Sequence, residues 1–332
     1  MSAKPRVLVT NLPFAHINPR PLQMLEDAGA EVVLNPLNRP LGEDEYAEML
    51  GGFDYLLAGV EPVTGKVMDG EPNLQLIARI GIGIDNVDLL AARKRGIPVT
   101  HTPDGPSPAT AELTIALMLD TARGVGQADR AIRAQGWKKM VGVRMAEATV
   151  GVIGVGRIGK RVIRHLTGGF PGVRILANDI EPDAEFGNEL AIEWTDKETI
   201  YKTCDFVTLH VPRTALTLNL IGAKEFAMMK PSARLLNLAR GGIVDEAALA
   251  HALRTGEITA AGIDVFGTEP YIGELAELEN LTMTCHMAAN TPDCRLAMES
   301  GAVAEIIRLI EGKPLGIPVA EIEYERAAGA LK

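Results

Sequence analysis

Short apolar runs separated by polar stretches of helical period fill the first hundred residues. Arg6 to Thr10, Glu31 to Leu34, Tyr55 to Ala58, Gln75 to Ile80 and Ile97 to Thr100 read as strands. Between them, Pro21 to Ala28, Glu43 to Leu50 and Leu89 to Arg95 read as helices closed by Gly29, Gly51 and Gly96. Strand and helix in alternation require crossover connections, so the pattern predicts a small α/β domain with a parallel sheet. The stretch HTPDGPSP, His101 to Pro108, can continue neither element and reads as a linker. After it, Ala109 to Arg123 predicts a long helix whose apolar residues surround much of its girth and call for burial on more than one side. Ala128 to Ala134 predicts another helix. The alternation then resumes, with strands expected at Val150 to Ile153, Arg174 to Asn178, Phe206 to His210, Arg234 to Asn237, Ala261 to Asp264 and Leu281 to Met283. The clearest helices between them are Arg157 to Leu166, Lys224 to Met229, and Glu246 to Thr255 with Asp245 as N-cap and Gly256 as its stop. A final helix from about Arg295 to Glu311 lies beyond the last strand, and residues 321–332 read as a polar tail.

Length and charge narrow the class. A chain of 332 residues exceeds the usual single domain, which predicts two. The net charge is −10 and the basic residues are scattered, which argues against nucleic acid or an anionic membrane as partner. A small anion still fits, because a cleft sets its own local field. The apolar run Val7 to Val9 is too short for a leader, and the longest apolar helical run, Leu113 to Leu119, is far below the roughly eighteen residues of a membrane span. A cytoplasmic protein is expected. Cys204, Cys285 and Cys294 are odd in number and form no C-x-x-C pair, which predicts reduced thiols and no metal site.

The stretch Val150 to Val162, VGVIGVGRIGKRV, carries the sharpest chemistry. An apolar run breaks into Gly154, Gly156 and Gly159 with GxGxxG spacing and resumes as a helix. The first glycine permits a tight turn, the second lets backbone approach a pyrophosphate, and the third lets helix pack on strand. The helix start at Arg157 and Ile158 would offer N–H groups and the positive dipole end to phosphates. Asp179 ends the next apolar run, twenty residues after Gly159. A carboxylate there accepts from both ribose hydroxyls and repels a 2′-phosphate, which implies NAD rather than NADP.

In an open parallel sheet, ligands bind beyond the carboxyl ends of the strands. Arg240, Glu269 and His286 all fall there if their strands are parallel. Singly, each has an ordinary structural reading as an ion pair, an exposed loop carboxylate and a buried hydrogen-bonded histidine. Together with a nicotinamide cofactor they make an anion clamp, an acid/base group and a carboxylate to orient it.

The segments RIGIGIDNVDLLAARKRGIPV, VGVIGVGRIGK, LLNLARGGIVDEAAL, AAGIDVFGTEP and TCHMA, in this order, resemble the D-isomer-specific 2-hydroxyacid dehydrogenase family from about Leu74 to Arg308. The resemblance implies an α/β fold of two domains, a Rossmann doubly wound parallel sheet inserted into a smaller flavodoxin-like α/β substrate domain. Residues 1–103 with 294–320 would form the substrate (catalytic) domain and 104–293 the NAD-binding domain. It implies that Arg240 binds the substrate carboxylate, His286 is the acid/base and Glu269 its partner. Backbone N–H groups of Gly81, Ile82 and Gly83 would hold the other side of the carboxylate. Asp264 would contact the nicotinamide carboxamide, and Thr110, His210, Val211, Pro212, Thr217 and Ala239 would line the cofactor groove. A homodimer around Ala109 to Arg123 is also implied.

Two segments depart from the family pattern. Cys285-His286-Met287-Ala288-Ala289 stands where relatives usually read Pro-His-Ile-Gly, so the backbone expected against the nicotinamide carries a Cβ at Ala288. Ala58-Gly59-Val60-Glu61-Pro62 lacks the arginine that many phosphoglycerate dehydrogenases place there for a phosphate, although Lys138, Lys139 or Arg144 of a neighbouring subunit could supply charge. No C-terminal serine-sensing domain is expected. The leading reading is an NAD-dependent oxidoreductase for a small anionic D-2-hydroxy or 2-keto acid. Reduction of 3-phosphohydroxypyruvate or of an imine, and a non-catalytic NAD-sensing protein like the corepressors of this fold, are the alternatives.

Overall fold

The structure is a computed structural model that describes residues 4–329. The chain divides into two compact units, one of residues up to 106 together with those from 290 onward, the other of residues 107–289.

The first unit opens with β1 (Arg6–Val9), α1 (Arg20–Asp27), β2 (Glu31–Leu34), α2 (Glu43–Leu50), β3 (Tyr55–Ala58), α3 (Gly65–Asp69), β4 (Leu76–Arg79), α4 (Leu89–Lys94) and β5 (Val99–Thr100). Its strands form one parallel sheet in the order β2-β1-β3-β4-β5, the flavodoxin-like order, whose winding reverses between β1 and β3. Both faces of the central strands are covered. That is why Tyr55-Leu56-Leu57-Ala58 is an unbroken apolar run and every residue of it is buried. Leu8, Leu56, Ile77 and Val99 meet Tyr46, Leu50, Val67 and Met68 of α2 and α3 in the core.

The second unit runs α5 (Ser107–Arg123), α6 (Val125–Arg133), β6 (Thr149–Ile153), α7 (Arg157–Gly169), β7 (Arg174–Asn178), α8 (Ala184–Leu190), β8 (Glu193–Trp194), α9 (Lys197–Thr203), β9 (Phe206–Leu209), α10 (Ala223–Met228), β10 (Arg234–Asn237), α11 (Glu246–Thr255), β11 (Ala260–Ile263) and β12 (Leu281–Met283). All seven strands are parallel, in the order β12-β11-β10-β9-β6-β7-β8. The winding reverses between β6 and β9, as a doubly wound dinucleotide fold requires. The long α5 packs against α7 and along β10, β11 and β12 of its own unit, which explains its wide apolar girth. Asp245 caps α11 through its carboxylate to the Ala248 N–H at 2.9 Å, and Gly256 ends it at φ +76°.

After the second unit, α12 (Pro292–Ile310) and α13 (Glu321–Ala327) return to the first, with α12 against α1, β3 and β4. The expected polar tail is therefore corrected: α13 packs on α4, Tyr324 is buried, and the Arg93 guanidinium lies 3.9 Å from its ring centroid. The run from Glu321 is polar on most of its surface, and a single aromatic side chain docks it. The seventh strand, β8, also escaped the pattern, because two residues carry no periodicity and only pairing with Leu176 and Ala177 defines it. The short helices α8 and α9 are set by their caps, Asp183 to the Phe186 N–H at 3.0 Å and Asp196 to the Thr199 N–H at 2.7 Å.

Candidate active site

At the reversal point of the second sheet, the loop after β6 meets the loop after β9. Gly154 adopts φ +93°, and a Cβ there would lie 2.6 Å from the His210 carbonyl. Gly159 lets α7 close on the strand, since a Cβ would collide with the Gly154 carbonyl. Gly156, the N-cap of α7, differs from both: a Cβ there would meet nothing within 4 Å. Arg157 is exposed and Ile158 half-buried at that turn. Asp179 lies just beyond β7, with Oδ2 accepting the Val155 N–H at 2.6 Å and Oδ1 the Glu181 N–H at 3.0 Å. The glycine loop and the carboxylate thus form one hydrogen-bonded piece.

His210 ends β9. Its Nε2 pairs with Thr208 Oγ1 at 3.0 Å, Nδ1 has no partner, and burial drives its pKa down to about 3, so the ring is neutral in the working pH range. Val211 is half-buried and Pro212 exposed in the chain that follows. The Thr217 hydroxyl donates to the Pro212 carbonyl at 2.6 Å and accepts the Thr214 N–H at 2.8 Å, which spends it on bracing that turn. Thr110 and Ala239 are buried at 4% and 9% exposure.

Three neighbouring strands bring the ionisable set together. Arg240 follows β10, where the buried Asn237 braces its loop by donating to the Arg240 carbonyl at 3.0 Å and accepting the Ala239 N–H at 3.1 Å. Glu269 follows β11 and His286 follows β12. The imidazole Nδ1 lies 2.7 Å from Glu269 Oε2, while Oε1 accepts the Phe266 N–H at 2.9 Å. Burial works against the charge on Glu269. The hydrogen bonds from His286 and Phe266, with the charges of His286 and Arg240, outweigh it and hold the carboxyl below its ordinary value of 4.5. A carboxylate on Nδ1 fixes the ring tautomer and leaves Nε2 as the nitrogen able to exchange a proton.

Asp264 carries the turn that presents the histidine. Its side chain has no exposed surface, and its carboxylate gathers the Thr284 hydroxyl at 2.6 Å and the N–H groups of Met287 at 2.9 Å and Ala288 at 3.0 Å. Enclosed in this way, it builds the 284–288 turn. The turn holds His286 at φ +52°, a left-handed backbone region that few residues with a Cβ adopt. Ala288 is buried and belongs to the same apolar cluster as Ala111, Val152 and Leu238. No sequence signal marked Asp264 or Asn237 as loop builders, because both follow apolar strands like many other polar residues.

In the first unit, the N–H of Gly81 is taken by Thr102 Oγ1 at 2.8 Å, so it is not free to hold a carboxylate as expected. The Gly81 carbonyl accepts the Thr102 N–H at 3.0 Å and that of Ile82 accepts His101 Nδ1 at 3.0 Å, which leaves Ile82 and Gly83 on an anchored turn. Among the described residues, no group of three or more His, Cys, Asp or Glu is placed to hold a metal, and no helix is long and apolar enough to cross a membrane.

The parallel sheet with this glycine turn has the form of a dinucleotide-binding unit, and a carboxylate-paired histidine and an arginine lie beyond the same strand ends. Residues 115–288 match the D-isomer specific 2-hydroxyacid dehydrogenase, NAD binding domain, profile. A D-3-phosphoglycerate dehydrogenase of Archaeoglobus fulgidus is 38% identical over 257 residues, 76% of this chain and 48% of that protein. A glyoxylate reductase of Thermococcus gammatolerans is 36% identical over 323 residues, 93% of this chain and 94% of that protein. The crystal structure of the TT0316 protein from Thermus thermophilus superposes with a TM-score of 0.85 at 34% identity, covering 95% of this chain and 100% of the other. The chain belongs to the D-isomer specific 2-hydroxyacid dehydrogenase family. It spans about half the length of the phosphoglycerate dehydrogenases it matches.

Proposed function

We propose that the protein is an NAD-dependent oxidoreductase that interconverts a small D-2-hydroxy acid and its 2-keto acid, in the cytoplasm and as a homodimer. The 2.7 Å contact between His286 Nδ1 and Glu269 Oε2 carries the reading, because acid/base catalysis needs an imidazole oriented by a carboxylate and cofactor sensing alone does not. The first turn of α7 at Gly156 and the fixed carboxylate of Asp179 fit a dinucleotide: the turn would hold the pyrophosphate and Asp179 the ribose hydroxyls. When bound, the nicotinamide donates or accepts hydride.

The chain's own residues do the rest. Arg240 offers a fork of donors to the substrate carboxylate, with a charge-assisted bond of roughly 1.5 to 3 kcal/mol. In reduction, His286 Nε2 donates a proton to the C2 oxygen while Glu269 stabilises the imidazolium; in oxidation, neutral His286 takes that proton back. Asp264 keeps the histidine in place. Residues 1–106 with 290–332 would then be the substrate domain and 107–289 the cofactor domain. The phosphoglycerate alternative gains no support, since Ala58 to Pro62 places no cation and Lys138 and Arg144 pair with Glu279 and Glu147 at 3.9 and 3.0 Å.

The dimer reading rests on the apolar surface of α6 and the segment after it, where Trp137 is 82% and Val141 99% exposed, with Val125 and Ile132 also exposed. The deciding experiment offers glyoxylate, pyruvate, hydroxypyruvate and 3-phosphohydroxypyruvate with NADH and follows coenzyme oxidation by absorbance. Turnover of at least one supports the reading. Binding of NADH without turnover of any 2-keto acid would overturn it in favour of a sensor.

A further inference from the structure

The amino edge of the second unit's sheet holds a buried charge that the chemistry at the carboxyl edge does not use. β10, β11 and β12 begin there at Arg234, Ala260 and Leu281, whereas Arg240, Glu269 and His286 follow the far ends of the same strands. Between those strand starts, the end of α5 and the segment of Met140 and Val141 lies a cavity of about 160 Å³. Arg234 lines it and is 6% exposed. Alternate residues of a strand share a face, and Leu236 belongs to the same core cluster as Leu117 and Met118, so Arg234 stands on the α5 side of the sheet. An arginine so enclosed ordinarily has an acidic partner. This one has none within ion-pair distance among the described residues: Nε donates to the Thr121 carbonyl and Nη1 to the Ser232 carbonyl, both at 2.9 Å, and Nη2 has no hydrogen-bond partner. Burial pushes the guanidinium down from its ordinary value, against the pull of Asp205, whose own oxygens are taken by Lys230 at 3.0 Å and the Thr149 N–H at 2.9 Å.

The cavity wall adds a second guanidinium. Arg123, the last residue of α5, is exposed and forms no ion pair among the described residues. Gly142 lets it lie close to the chain, since a Cβ there would come 2.8 Å from Arg123 Cδ and 2.5 Å from the Ala122 carbonyl oxygen. The Val143 N–H donates to that carbonyl at 3.0 Å, which ties the segment to the end of α5. One acid, Asp120, also lines the cavity, and its carboxylate is engaged by the Gly126 N–H at 2.6 Å and by the Thr282 hydroxyl. Two arginines thus stand against one aspartate, which leaves a surplus of one positive charge around a buried donor without a partner. The half-buried Gln127 faces the same space with an amide that makes no hydrogen bond among the described residues.

We propose that this cavity binds a small oxyanion on Arg234 Nη2, with Arg123 and Gln127 as further donors. An arginine cannot shed its proton to relieve burial, so the missing partner must carry negative charge. At about 30 Å³ for each water-sized group, the cavity holds roughly five, the size of a phosphate and far below a nucleotide. Phosphate should bind more tightly than a monocarboxylate, because it brings more charge and more acceptor oxygens to donors on several sides. The site lies within one unit, across strands of three or four residues from the catalytic set, a separation of about 10 to 13 Å. It is therefore independent of the reductase reading.

The test titrates inorganic phosphate, and acetate as the monocarboxylate, into the full chain by calorimetry with NADH present to fill the coenzyme's own phosphate site. Wild type, R234M, R123A and R240A are compared, with melting temperature as the folding control. Wild type should bind phosphate, and acetate more weakly. R234M should weaken phosphate by about ten- to hundredfold, the scale of a lost charge-assisted hydrogen bond. R123A should weaken it by about two- to fivefold, the scale of an exposed ion contact, and it decides the matter if R234M does not fold. R240A should leave it unchanged. Equal affinity in the folded R234M and R123A variants, or loss in R240A alone, overturns the inference by placing the anion elsewhere. Failure of wild type to bind either anion overturns it as well; if R234M then turns a dimer into a monomer in light scattering, an acidic group of a second copy, brought in beside the exposed Val141, is the partner of Arg234.

Discussion

The carbonyl of Asp264 accepts the N–H of His286 at 2.7 Å, so the residue that builds the turn is bonded directly to the residue the turn presents. The carboxylate of Asp264 then closes the turn through Thr284, Met287 and Ala288. In D264N, one oxygen would become an NH2 facing donors, and a buried conflict of that kind costs about 1.5–3 kcal/mol per charged hydrogen bond lost. Turnover should fall by about tenfold or more while NADH binding, followed by fluorescence, stays within a few-fold. Equal loss of both would mean that Asp264 supports the whole unit and not the histidine.

E269Q removes the ionised partner of His286 and keeps its shape. Turnover should drop by about 10² to 10⁴ with cofactor affinity retained, similar in size to H286A. The pH dependence follows from the lowered carboxyl of Glu269. A carboxyl whose folded value lies below the ordinary 4.5 contributes stability that is fully present above that value and is lost as pH falls through the lowered one. The melting temperature of the wild type should therefore exceed that of E269Q at neutral pH, and the gap should close on acidification below 4.5. A gap that widens in acid would refute the assignment.

Asp179 is held by the Val155 and Glu181 N–H groups, which fixes its charge where a ribose would lie. D179A should raise the ratio of kcat/KM for NADPH over NADH by on the order of ten- to hundredfold, the scale of a like-charge contact at a protein surface. An unchanged ratio assigns the choice of coenzyme to another group.

Val141 and Trp137 are large apolar side chains left almost fully exposed, at 99% and 82%. V141D with W137E should convert a dimer to a monomer in light scattering at unchanged secondary structure. A wild type already monomeric at micromolar concentration removes the second copy from the proposal.

Much of this protein was legible in sequence because the controlling forces are local. The alternation of apolar runs and amphipathic stretches follows from period alone, and the turn at Gly154 to Gly159 from residues whose missing Cβ atoms are the signal. Asp245 and Gly256 delimit α11 by capping chemistry within a few residues. Arg240, Glu269 and His286 were legible as strand-end residues, because a parallel sheet presents all its carboxyl ends on one edge.

What the tertiary structure alone decided concerns burial and pairing between distant segments. The enclosure of Asp264 by the turn of residues 284–288, and the burial of Ala288, follow from packing between segments far apart in sequence. The tail at Glu321 becomes α13 through one ring under Arg93, and β8 exists only by pairing with β7. Sequence determined which groups the chain could use, because backbone preference and side-chain chemistry act over a few residues. The fold decided which of them are spent on structure and which are left unpaired, because burial and hydrogen-bond satisfaction depend on neighbours that only topology supplies.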